Sequence, residues 1–127
     1  MDYVVYYRIP RKMTEEQREV YVEKWKRRVS GFLEGKKTMC IAEFTDVDST
    51  GNNDSYKELR MAVLYASRKN LTLLIADLNA LMLDADFYDV VCEGCCEIEV
   101  VDFPLMCRRN LPMMRAIALY REIAKRK

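Results

Sequence analysis

Arg8 is the residue best placed to do chemistry. It stands in the run YVVYYRIP, residues 3–10, immediately ahead of Ile9-Pro10. Val4, Val5, Tyr7 and Ile9 make the run a buried strand, and Pro10 ends it because proline has no amide to donate. A guanidinium at the carboxyl end of the first strand of an open α/β sheet faces the crevice where such folds bind ligands, and phosphate is the natural occupant. The competing role for Arg8 is structural, an ion pair with Asp46, Asp48 or Asp77. Ser49, Thr50 and Ser55 carry hydroxyls, but the chain has no histidine to serve as a base, so these residues read as loop and cap formers. Cys92, Cys95 and Cys96 put three soft ligands within five residues. A structural zinc site needs four, and Cys40 and Cys107 lie outside any zinc-ribbon spacing. The expectation is buried or half-buried thiols, with no metal and no other cofactor.

Composition narrows the function classes. The 127 residues suit one domain with a real core, and no run approaches the ~20 apolar residues of a membrane span. The amino terminus lacks a signal-peptide pattern, so the expected location is cytoplasmic with no membrane partner, and five cysteines there are expected to be reduced thiols. A formal net charge of +1 gives no overall grip on a polyanion, so DNA binding is expected to be weak or indirect. Basic residues do cluster at Lys24, Lys26, Arg27 and Arg28, at Arg108 and Arg109, and at Arg121, Lys125, Arg126 and Lys127. Such runs are more often solvated helix faces.

The elements that must position these groups alternate. Thr14 and Gln17 form a capping box that opens a helix, with Tyr21, Val22, Trp25, Val29, Phe32 and Leu33 on one stripe and Gly35 as the stop. Residues 38–44 read as a second strand running into the polar loop 46–54. Ser55 and Glu58 read as another capping box, opening a helix with Leu59, Ala62, Val63 and Ala66 inward. The unbroken apolar run at 71–76 is a central parallel strand. A third helix over 84–92 carries Phe87, Val90 and Val91 inward. A strand over 96–101 follows, then a last helix after Asn110 with Met113, Ile117, Tyr120 and Ala124 on one face. The order βαβαβαβα predicts a three-layer α/β sandwich with a mostly parallel central sheet.

In that order, Tyr6-x-Arg8-Ile9-x-Arg11-Lys12 resembles the opening of the catalytic domain of serine recombinases, the resolvase and invertase family, where the strand ends Tyr-x-Arg-Val-Ser. Pro10 occupies the position of the nucleophilic serine. Residues 46–51 resemble the family's Asp-x-x-Ser-Gly loop, with Thr50 for the serine. Tyr56 stands where an active-site arginine is followed three residues later by a leucine, here Leu59. The family's Lys-Leu-Asp-Arg-Leu-x-Arg-Asp run is matched by residues 77–84, with both leucines, Leu78 and Leu81, kept at their spacing. Asn79 replaces the aspartate, and Ala80 and Leu83 replace the two arginines. Ile123-Ala124-Lys125-Arg126 resembles the Ile-Ser-x-Arg that begins the family's dimerising helix, and the preceding glutamate and arginine are Leu119 and Tyr120 here.

The resemblance implies a single resolvase-like domain over 1–127, without the DNA-binding module that family members join to it. Serine-based phosphodiester cleavage needs a nucleophile and several guanidinium groups, so it also implies a domain with none of the catalytic set intact. Arg8 and Arg126 are then the candidate anion contacts. Met113, Ile117, Tyr120 and Ala124 are the candidate interface of a homodimer, or of a heteromer with a related recombinase. The function expected on this footing is interaction or regulation linked to site-specific recombination and mobile elements. The alternative is an active or divergent recombinase, or another phosphate-handling enzyme using the crevice at Arg8.

Overall fold

A computed structural model of the chain describes residues 2–10, 13–47, 56–76, 84–104 and 106–125. Four strands and four α-helices alternate: β1 Tyr3–Ile9, α1 Glu15–Gly35, β2 Cys40–Val47, α2 Lys57–Lys69, β3 Thr72–Ile75, α3 Ala85–Cys92, β4 Glu97–Val100 and α4 Leu111–Lys125, the last preceded by a single 3-10 turn at Arg108–Asn110. The strands form one parallel sheet in the order β2-β1-β3-β4. Both β1 and the apolar β3 are therefore central, as their unbroken burial requires.

The sheet separates two cores. On one face Tyr3, Val5, Tyr7 and Leu74 meet Trp25, Val29 and Leu33 of α1. On the other, Val4, Tyr6, Leu73, Ile75, Ile98 and Val100 meet α2, α3 and α4. The chain steps from β1 outward to β2 over one face and back to β3 and β4 over the other. With right-handed crossovers this requires helices on both sides. It also places the switch point at the carboxyl ends of β1 and β3, the crevice expected to hold Arg8.

Local signals explain most element ends. Thr14 accepts from the Gln17 amide at 3.2 Å, and the Gln17 side chain accepts from the Thr14 amide at 3.0 Å, so α1 opens on the capping box. Gly35 is the last residue of α1 rather than a left-handed stop, and Lys37 takes the positive φ of 53°. Asn70, at φ 58°, closes α2 in the left-handed conformation that asparagine tolerates. β2 starts and ends later than the expected 38–44. Arg8 and Ile9 pair with Asp46 and Val47, so β1 draws the start of the polar segment into the sheet.

Two further expectations are corrected. Cys92 and Cys95 are exposed, and only Cys96 of the cluster is buried. All five cysteines are free thiols, and among the described residues no group of three or more His, Cys, Asp or Glu side chains is placed to hold a metal. Arg108 is not a solvated cation. Its guanidinium donates to the carbonyls of Val91 and Gly94, satisfying the end of α3. Gly94 itself lies so close to α2 that a Cβ there would run into the Val63 and Ser67 side chains. No helix among the described residues is long and apolar enough to cross a membrane.

Candidate functional site

At the carboxyl end of β1, Arg8 is only 4 % exposed. In the β1–β2 register it sits opposite Asp46, which is also buried, and its Nη1 lies 3.9 Å from Asp46 Oδ2. The same Nη1 donates to Tyr6 Oη at 3.1 Å, and Tyr6 Oη donates to Asp46 Oδ2 at 2.8 Å. From above, the Tyr56 ring covers the guanidinium, with 4.2 Å from Arg8 Cζ to the ring centroid, a cation–π distance. The Tyr56 hydroxyl donates to the Asp84 carboxylate, which ties the lid of this cluster to the start of α3.

Asp46 has a second role. Its Oδ1 accepts from the Glu58 amide at 2.9 Å and its Oδ2 from the Leu59 amide at 3.0 Å, so a side chain on β2 satisfies the open amino end of α2. The expected Ser55–Glu58 box does not account for this end: the residue flanking the helix is Tyr56, which makes no side-chain cap. Ser55 lies outside the described residues.

The cluster moves its phenols. Burial, and then the Asp46 charge, push the Tyr6 hydroxyl far above its ordinary value, against the opposing pull of Arg8. Burial, followed by the hydrogen bond and charge of Asp84, raise Tyr56 in the same direction. Both phenols stay protonated and act as hydrogen-bond donors.

No family model matches the chain, and no curated protein does. A solved structure does: the crystal structure of a resolvase family site-specific recombinase from Streptococcus pneumoniae superposes with a TM-score of 0.65, covering 97 % of this chain and 90 % of that one at 12 % identity. The chain has a resolvase-like fold. At that identity the likeness is one of fold, and it covers nearly the whole chain.

Within the resolvase-like fold, the structure brings Arg8 and Tyr56 into direct contact and leaves Pro10 half-buried just past the end of β1. Thr50, Asn79, Ala80, Leu83 and Arg126 lie outside the described residues. Met113, Ile117, Tyr120 and Ala124 share the outward face of α4. Tyr6 and Asp84 were not singled out in the sequence as site residues. The signal for Tyr6 is its parity with Arg8 on β1, which puts both side chains on one face of the sheet. Basic residues on α1 are largely matched by acids: Arg27 with Glu23 at 2.9 Å, Lys26 with Glu43 at 3.7 Å and Arg28 with Asp102 at 3.7 Å.

Replacing Asp46 leaves the Arg8 charge buried without its carboxylate and opens the end of α2. Asp46→Ala is expected to lose about 3–5 kcal/mol in urea unfolding, and Asp46→Asn a comparable amount, because the amide carries no charge for Arg8 and turns one accepting oxygen into a donor that faces donors. The phenols make a separate prediction. Unfolded tyrosine ionises near pH ~10 and the native Tyr6 and Tyr56 only above that, so their stabilisation is complete below pH ~10 and is lost as pH rises further. Phenolate absorbance should therefore show a fraction of tyrosines that ionises together with alkaline unfolding. A titration in which every phenol ionises near pH ~10 with the fold intact would refute the closed cluster.

Proposed function

We propose that this chain is a catalytically silent resolvase-fold domain that works through protein contacts, in regulation or assembly linked to site-specific recombination of mobile elements. The observation that carries this reading is the closure of the crevice around Arg8. The guanidinium that would face a phosphate is directed to Tyr6 and Asp46 and roofed by Tyr56. Its role on this reading is structural.

The chemistry agrees. Phosphodiester attack by a serine requires the nucleophile, and Pro10 offers none. Charge building on the phosphoryl oxygens requires several convergent donors, each worth ~10²–10³ in rate, and Tyr56, Ala80 and Leu83 supply no cation. The fold stays while the reactive groups are replaced by aromatic and apolar ones.

The contact surface on this reading is α4. Leu111, Met114 and Ala118 face inward, and Glu122 fixes the helix by accepting from the Ala85 amide at 2.9 Å. Met113, Ile117, Tyr120 and Ala124 then recur at steps of four, three and four along the outer side, and Tyr120 is 74 % exposed. A seam of alternating four- and three-residue steps suits a second helix of the same kind, so the proposed partner is a second copy of the chain, with a related recombinase as the heteromeric form.

Incubation with supercoiled and suicide-substrate DNA is expected to give no covalent adduct and no nicking. Sedimentation at micromolar concentration is expected to show a dimer that Ile117→Glu and Tyr120→Glu dissociate. A covalent protein–DNA adduct overturns the silent reading, and a monomer indifferent to both substitutions overturns the interface.

A further inference from the structure

Among the described residues a second exposed surface lies along the β2 edge of the sheet. β2 pairs with β1 alone among the described strands, and Ala42 to Val47 run in unbroken register with Val4 to Ile9, so the opposite side of β2 presents a regular row of backbone donors and acceptors. Beside that edge a cavity of about 270 Å³ is lined by Phe44, Met61, Leu64, Tyr65, Arg68 and Lys69. Its apolar wall is open: Met61 and Leu64 are about half exposed, and Phe44 and Tyr65 are half-buried with ring centroids 6.1 Å apart. The helical residues fall at 61, 64, 65, 68 and 69, one face of α2, so the groove follows the helix and ends at two cations.

We propose that the β2–α2 groove binds an extended, apolar and acidic peptide segment of a partner protein, added to the sheet as a fifth strand. Direction follows from the topology. α2 returns antiparallel to the strands, so Arg68 and Lys69, at its carboxyl end, lie towards the start of β2. A segment pairing antiparallel with β2 ends at that same place, and its terminal acidic residues meet the two cations. Its alternate side chains drop onto Phe44, Met61 and Leu64, and the others face solvent.

Charge separates this occupant from a second copy. A two-fold pairing of β2 with itself, centred on the strand, puts two Glu43 side chains directly or diagonally opposite each other, which disfavours it. The proposal is independent of the α4 interface, since the groove residues lie on other elements.

The test uses the full chain and a fluorescein-labelled octapeptide alternating valine and threonine and ending in two aspartates with a free carboxylate. Anisotropy is expected to rise saturably in the micromolar range, and to weaken by about tenfold or more with Leu64→Lys or Arg68→Glu, both at exposed positions. Ile117→Glu is expected to leave it unchanged. Amide exchange along Ala42 to Val47 is expected to slow on binding. Absence of a saturable rise at millimolar protein overturns the proposal, as does equal binding of the peptide carrying lysines for the aspartates. Binding that survives both groove substitutions overturns it too. Self-association abolished by Leu64→Lys but not by Ile117→Glu would assign the edge to a second copy instead.

Discussion

The Asp46 carboxylate is the point on which the structure turns. It is a buried acid receiving the Tyr6 hydroxyl, the Glu58 and Leu59 amides and the charge of Arg8. Each donor comes from a different requirement: a central strand, the open end of a helix, and a cation that burial would otherwise penalise. A buried charge is tolerated only when its counter-charge and hydrogen bonds are complete. Asp46 and Arg8 supply that for each other, and the α2 dipole adds to it. Removing either partner leaves the other uncompensated, so the pair binds β1, β2 and α2 into one unit.

That arrangement also shapes the crevice. In a doubly wound sheet the switch point between β1 and β3 is where a ligand would enter, and there Arg8 is buried against Tyr6 and Asp46. The Tyr56 ring lies over the guanidinium and its hydroxyl reaches Asp84, so one side chain joins α2 to the start of α3 across the site. Large apolar side chains meet solvent elsewhere, on the outer side of α4 and along the edge of β2.

What could be read from the sequence was what is encoded locally. The Thr14–Gln17 box, the amphipathic stripe of α1 and the apolar run of β3 are satisfied within a few residues, and the alternation of strands and helices fixes a parallel sheet covered on both sides. Interactions between distant residues were harder to read. Asp46 caps a helix that begins eleven positions later, which no capping pattern describes. Arg108 reads as one more surface cation until α3 ends beneath it. Cys92 and Cys95 read as buried or half-buried thiols because the chain offers no complete ligand set for a metal, yet both are exposed where α3 closes. In the candidate site, Arg8 and its pairing with Asp46 were among the legible alternatives. The roof formed by Tyr56 was not, because nothing in the residues around Tyr56 says where its ring will lie.

The most direct test of the central claim, that Arg8 is a structural cation closed off from anions, is nitrogen-15 NMR of its guanidinium during titration with pyrophosphate and with a short single-stranded oligonucleotide. The account predicts an Arg8 Nε–H resonance protected from exchange, unmoved at millimolar anion, and lost only with the fold in Asp46→Ala. A saturable shift of that resonance on anion addition, with the fold intact, would contradict it and restore the crevice as a phosphate site.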